Sequence, residues 1–332
     1  MKTQLEVSQI ALQHIKPLIN RFNKRYEYRP YQYDKYIHII DINSVKGSAN
    51  NVDDLLNTNF WALLIGTLRN IDQTDCINTD GLSGSLRASN YVQAGSAYLV
   101  YGSGTTPERF TDYRLASYSG SVSATFLVTT LADRSRVSIS GVIPVASNEI
   151  GIYQALKNVL GGTYTAMLAR VTGSFGAYQG VAYNIDFLNP WVSNIARLMC
   201  GIHSNSNVSL TKIDGTTITA RVLGDVNAGS IFLVVSSSGV SWSPALYSIP
   251  NPITMEMSYG DISNLRTVRY TAAIGSLTPS SDLSIQSIAL YQEILDTASA
   301  RQTVCMAVIP LASPITFYAN RLNVVVVRIL AF

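Results

Sequence analysis

Side chains able to do acid–base, nucleophilic or metal chemistry are few and scattered in this sequence. Its three histidines, His14, His38 and His203, are far apart. No two have the i, i+4 spacing that puts a metal-binding pair on one helix face. His14 falls on the apolar side of a helical pattern, where packing or an interface is a simpler role than ligation. His203 reads as part of a loop after a second helix. Cys76, Cys200 and Cys305 are widely separated and lack CxxC spacing, so they read as buried free thiols rather than a disulfide framework or a zinc site. No GxSxG nucleophile elbow is present. Gly102-Ser103-Gly104-Thr105-Thr106 follows a strand, as a phosphate loop would, but it has no lysine and runs into Pro107 rather than a helix N-terminus. A turn between strands is the plainer reading. Asp112, Asp133, Glu149 and Asp186 could supply a pair of carboxylates for glycoside hydrolysis, a mechanism that needs them held at a set separation. Nothing in their spacing brings two of them together. The sequence assigns no catalytic, cofactor or metal residue, and the chain is expected not to be an enzyme.

The densest chemistry is cationic and aromatic. Arg21, Lys24, Arg25, Tyr26, Tyr28, Arg29, Tyr31 and Tyr33, followed by Lys35 and Tyr36, make one compact stretch. Such a stretch could neutralise phosphates and stack on bases. It could equally clamp an acidic, polar partner surface. The clamp is preferred, because residues 1–36 hold seven basic and three acidic residues whereas the rest of the chain holds seventeen and eighteen. No second basic face is left to follow a nucleic acid. Tyr118, Trp242 and Tyr247 fall in loops, where they could form a platform for a glycan or receptor.

The elements that carry these residues are mostly strands. Val7, Ile10, Ala11, His14, Ile15, Leu18 and Ile19 fall at helical spacing and predict an amphipathic helix, with Pro17 marking a kink or its end. Tyr36–Ile42 reads as a strand and Lys46–Asp53 as a polar hinge. Beyond residue 57 short alternating segments dominate, among them Ala97–Tyr101, Ser121–Thr129, Arg136–Val142, Val181–Phe187 and Leu322–Leu330. Trp61–Leu68 and Trp191–Ile202 read as short helices. Charged residues are only 14% of the chain against 47% hydrophobic, yet no apolar run reaches the roughly 18 residues of a spanning helix. Neither does Met1–Gln13 read as a signal peptide. A soluble chain made in the cytoplasm is expected, with tyrosine-rich, lysine-poor surfaces suited to permanent contacts with copies of itself.

The later part of the chain repeats. Leu63-Leu64-Ile65-Gly66 returns as Leu198-Met199-Cys200-Gly201 after 135 residues, and Ala97-Tyr98-Leu99-Val100 as Ile231-Phe232-Leu233-Val234 after 134. Gly151-Ile152-Tyr153-Gln154 returns as Ala289-Leu290-Tyr291-Gln292, and Met167-Leu168-Ala169 as Cys305-Met306-Ala307, both after 138. The order and near-constant offset imply a duplicated domain. The expected organisation is a helix and anchoring arm at 1–56, a β-sandwich of jelly-roll type at 57–188, and its copy at 189–332 joined through Asn189-Pro190.

One pattern in the first copy resembles a known group. Ile77-Asn78-Thr79-Asp80-Gly81-Leu82, the Gly102–Thr106 turn, Glu149-Ile150-Gly151-Ile152-Tyr153, Met167-Leu168-Ala169-Arg170 and the closing strand Val181–Phe187 resemble, in that order, virion proteins of bacteriophages and prophages. The charge-poor, Tyr- and Ile-rich composition is also similar to that of turret or spike proteins of archaeal viruses. The second copy departs from the pattern, with Ser236-Ser237-Ser238-Gly239 at the turn and Ser287 in place of Glu149. The resemblance implies a virion component (capsid vertex, turret, tail or fibre) without cofactors, made in the host cytoplasm. Its partners would be its own copies and other virion proteins. A viral attachment module for a receptor or glycan is the alternative.

Overall fold

The computed structural model describes residues 36–42, 44–49, 52–54, 56–70, 72–86, 94–222, 229–260 and 270–330. The expected helix at 7–19 and the basic stretch at 21–35 lie outside them. Within them the protein is mainly β. Three short strands come first: β1 (Ile37–Ile42), β2 (Val45–Ala49) and β3 (Val52–Asp54). Helix α1 (Thr58–Arg69) then leads β4 (Gln73–Ile77), β5 (Ser83–Leu86), β6 (Tyr98–Gly102), β7 (Tyr118–Ser123), β8 (Thr125–Thr130), β9 (Arg134–Ile143), β10 (Ser147–Lys157), β11 (Thr163–Phe175) and β12 (Gln179–Leu188). Helix α2 (Ser193–Ser204) leads β13 (Val208–Thr211), β14 (Thr217–Ala220), β15 (Ile231–Ser236), β16 (Ile253–Thr254), β17 (Glu256–Gly260), β18 (Tyr270–Leu277), β19 (Leu283–Leu295), β20 (Arg301–Phe317) and β21 (Asn323–Leu330).

The pairings of the first series recur in the second. A sheet β11-β10-β6-β7 matches a sheet β20-β19-β15-β16, and the hairpin β4-β5 matches β13-β14. Even the irregularities match: the ladder slips between Ile152 and Tyr153 in β10, and between Leu290 and Tyr291 in β19. Such bulges re-aim side chains. Here the tyrosine after each slip turns its hydroxyl to a backbone N–H of a long loop, Leu115 at 2.8 Å and Ile249 at 3.0 Å.

The remaining two sheets differ at one edge, and the chain's first strands make the difference. β12 pairs with β9 on one side and antiparallel with β2 on the other, giving the order β3-β2-β12-β9-β8. β21 pairs with β18 and, in parallel, with β1, giving β1-β21-β18-β17. Lys46–Asp53 is therefore no hinge. Its alternation buries Val45, Gly47 and Ala49 and exposes Lys46, and its backbone completes the edge of a sheet. Ser121–Thr129, read as one strand, is two: β7 pairs with β6 and β8 with β9, in different sheets.

Both helices are core elements. All twelve residues of α1 are buried, the polar Asn59, Thr67 and Arg69 included. Asn57 caps its start by accepting from Phe60 N, and Asn70 in the left-handed region ends it. α2 ends in the same way on Asn205, but begins on Val192 without a side-chain cap. One continuous apolar cluster runs from Phe60 and Leu64 through Ile150 and Phe187 to Leu198, Leu290 and Val327.

Candidate functional site

Of the four carboxylates that could have done chemistry, three are tied up by their neighbours. Glu149 in β10 is fully buried. Its Oε1 accepts from Gly104 N at 3.1 Å and Ser117 N at 2.6 Å, and its Oε2 from Ala116 N at 3.0 Å and Arg170 Nε at 2.8 Å. Arg170 goes on to Asp112 at 2.7 Å and to the Thr106 carbonyl at 2.8 Å. The Gly102–Thr106 turn is thus an anion cradle whose anion is internal. A Cβ on Gly104 would collide with the Glu149 carboxylate, and one on Gly102 with the Ser117 carbonyl. This arrangement ties the 103–117 loop to the sheet and leaves the carboxylate no free lone pair for a substrate. Asp186 receives Arg136 at 2.6 and 2.8 Å and Arg134 at 3.2 Å. Asp133 is an exposed partner of Arg134.

The histidines are not a pair either. His38 in β1 stacks on Phe317 at 5.8 Å. His203 is not in a loop: it lies in the last turn of α2, fully buried, and burial lowers its pKa from the ordinary 6.5 to about 4. Its Nδ1 is 2.9 Å from Gln154 Oε1, so with the amide oxygen accepting, Nδ1 carries the proton. All three cysteines are buried and unlinked, and burial pushes the Cys200 thiol up to about 11. Among the described residues no group of three or more His, Cys, Asp or Glu could hold a metal ion, and no helix is long and apolar enough to cross a membrane.

The aromatics proposed to face a ligand do not gather in one place. Tyr118 opens β7 and is 58% exposed, with its ring stacked on Tyr153 at 6.4 Å. Trp242 is half-buried against a small apolar cluster around Ile249 and Tyr291. Tyr247 is exposed and lies over Gly215. Tyr118 belongs to the first series, whereas Trp242 and Tyr247 lie between β15 and β16 of the second.

What sequence reasoning missed is a reciprocal junction between the two series. Each helix starts in its own series: Asn59 Nδ2 donates to the carbonyls of Met167 and Ile77 at 3.0 and 2.9 Å. Asn194 Nδ2 does the same to Cys305 and Thr211 at 3.0 and 2.8 Å. Each helix ends in the other series. Gln292 of β19 donates to the Thr67 carbonyl at 2.8 Å, and Ser230 to that of Arg69 at 2.5 Å. Gln154 of β10 donates to the Ile202 carbonyl at 2.7 Å, and Ser96 to that of Ser204 at 2.9 Å. The last carbonyls of a helix have no intrahelical partner, so each series satisfies the other's helix. The signal was present: Gln154 and Gln292 are the polar members of a repeated quartet, and Asn59 and Asn194 share the 135-residue offset.

Two turns at one end of the first series form the other notable feature. Asn158 Oδ1 accepts from Leu160 N and Gly162 N at 3.0 and 2.9 Å, and Asn78 Oδ1 from Leu82 N at 2.8 Å. Val159 N reaches the Ser85 carbonyl at 3.2 Å, tying the two turns together. Leu160 is 91% exposed, Leu82 66% and Val159 41%. The matching turns of the second series have the same backbone ties, with Ala298 N on Asp296 Oδ1 and Thr297 N on the Thr219 carbonyl. Their exposed residues are Thr216, Thr297 and Ala298 instead.

Compared with known proteins, the chain matches no family model, no curated protein and no solved structure.

Proposed function

We propose that this chain is a virion structural protein that works by assembly with its own copies and with other virion proteins. In this reading residues 57–188 and 189–332 are tandem copies of one β-sandwich domain of jelly-roll type. They are fused so that each holds the other's helix. The support for tandem copies is the recurrence of nine strands and their partners in the same order, with the slips of the β10–β11 ladder repeated in β19–β20.

The observation that carries the assembly reading is the apolar tip of the first copy. Leu82, Val159 and Leu160 sit on turns in which Asn78 and Asn158 accept from backbone N–H groups and which are tied to each other through Val159 N and the Ser85 carbonyl. Apolar side chains presented on rigid turns, at a place where the sister domain has threonine and alanine, serve contact with something else. Residues 1–56 form the anchoring arm, and its root is laid into both copies: β1 edges the second, β2 and β3 the first. A pull on Arg21, Arg25 or Tyr28 is then shared by two sheets rather than by one strand. The buried, fully bonded state of Glu149 supports a non-enzymatic role.

Sedimentation and particle purification test this reading. The purified protein is expected as a discrete oligomer or in particles, and removal of residues 1–36 is expected to keep it out of particles. A lone monomer absent from virions overturns it. Tyr118 supports the attachment reading as a second one, since its ring is exposed and backed by Tyr153. Glycan binding lost on Trp242→Ala or Tyr118→Ala would favour that reading.

A further inference from the structure

A groove in the first series is open where the second series is plugged. It lies at the corner where β7 leaves one sheet and the chain enters the other as β8, and its volume is about 530 Å³. Ser96, Tyr98, Ser121, Ser123, Ala124 and Phe126 are among its lining residues, none of which is charged. Pockets for small organic ligands measure roughly 300–1,000 Å³ and combine apolar walls with a few polar groups. Tyr98 is half-buried and held by an edge contact with Tyr153, the ring centroids 6.1 Å apart. Ser121 and Ser123 stand on the same side of β7 and are exposed. Ser96 donates to the Ser204 carbonyl at 2.9 Å, and its oxygen can still accept.

The matching corner shows the closed form. Gly141 and Gly275 hold the same place in their sheets: a Cβ on either would stand 3.0 Å from Cδ1 of Leu99 or of Leu233. Met257 pairs with Gly275, and Thr125 with Ser140, the residue before Gly141. In that register Ala124 corresponds to Met257, and Ser123 to Glu256. Met257 packs on the core, and its sulfur takes the Leu233 N–H at 3.2 Å. A thioether chain therefore occupies the second corner where the first has a single methyl group. Phe232 keeps the ring of Tyr98 there, edge-on to Tyr291 at 6.0 Å. What separates the two corners is space: serine and alanine against glutamate and methionine.

The lining fixes the class of occupant. An ionised ligand would give up hydration in this groove without gaining an opposite charge. Serine hydroxyls both donate and accept, and aromatic rings cover apolar surface. A neutral sugar ring offers both parts, a C–H face and a rim of hydroxyls. We infer that the groove binds a neutral saccharide, its C–H face on Tyr98 and Phe126 and its hydroxyls toward Ser121 and Ser123. The inference rests on the attachment reading and gives it a site in the first series, away from Trp242 and Tyr247.

The test is an array of neutral, sialylated and sulfated oligosaccharides probed with the full-length protein. Two variants, Ala124→Met and Ser123→Glu, copy the second series into the first. The wild-type protein is expected to retain neutral oligosaccharides, and each variant to weaken that binding about tenfold or more with the unfolding midpoint unchanged. Ser123 is exposed, so Ser123→Glu decides the matter if Ala124→Met does not fold. Retention of acidic oligosaccharides alone overturns the inference. So does neutral binding that both variants keep; if Trp242→Ala abolishes that binding, the attachment reading stands without the groove. Retention of no oligosaccharide overturns both.

Discussion

At the scale of single residues, the chemistry that looked available is spent on structure. Breaking a buried ion pair by removing one partner leaves the other charge uncompensated, typically at about 3–5 kcal/mol. Glu149→Gln also turns an amide NH2 toward donors that now meet an acceptor. A loss of about 3 kcal/mol in denaturant unfolding is expected, and a loss under about 0.5 kcal/mol, the scale of a plain surface change, would show that the cradle is not structural. His203 makes a pH prediction. Its folded pKa of about 4 lies below the unfolded 6.5, so the unfolded chain takes the proton first as pH falls. Stability is complete above pH 6.5 and drains away between 6.5 and 4, by about 3 kcal/mol for a shift of that size. Leu68 occupies the matching place in α1. His203→Leu is therefore expected to flatten the acid limb of a stability-versus-pH curve measured between pH 7 and 4. A wild-type curve already flat there would remove the argument. None of this was legible in the sequence, because a histidine's burial depends on Phe60 of the other helix stacking at 6.4 Å.

At the scale of elements, the helices are held by side chains from sheets remote in sequence. Gln292 Nε2 serves the carbonyls of Thr67 and Gly229, 2.8 and 3.0 Å away. Gln292→Leu fills the same space but leaves these buried acceptors unpaired, a cost of about 1–3 kcal/mol. Gln154→Leu is expected to cost more, since it also strips His203 Nδ1 of its hydrogen-bond partner. Urea unfolding of both variants measures the difference, and equal losses would show that the histidine contact contributes nothing. The same scale shows what sequence periodicity could and could not give. Both helices and most strands were legible to within a few residues, because their apolar periods are clean. The break between β7 and β8 was not, since Ser123-Ala124-Thr125 carries no glycine or proline and alternation runs through it. The β2–β3 hairpin was read as a hinge because Lys46–Asp53 is polar and glycine-containing. Its strand character comes from the open edge of β12, which supplies partners for its backbone.

At the scale of the whole molecule, the repeat was visible as spacing, but its purpose was not. Offsets of 134–138 residues located the matching strands. Several junction residues are kept in kind, as in Asn59 and Asn194 or Gln154 and Gln292, although the buried Glu149 and Leu68 of the first series correspond to Ser287 and His203 in the second. The exposed turns differ as well. Two series of strands that share a junction meet similar packing demands there, so differences between their exposed turns bear on what each series does outward. The sharpest is Leu160 at 91% exposure against Ala298 in the matching turn. Burying a leucine in a contact is worth roughly 1.5–3 kcal/mol, or one to two orders of magnitude in association, whereas an exposed substitution changes folding stability by about 0.5 kcal/mol or less. Leu160→Asp is thus expected to leave the unfolding midpoint in place and weaken assembly at least tenfold by sedimentation. Ala298→Asp, placed on the same turn of the other series, is expected to change neither. Equal effects of the two substitutions would mean that the tip of the first series is no more a contact than its counterpart. The exposed leucines would then be surface left over from divergence.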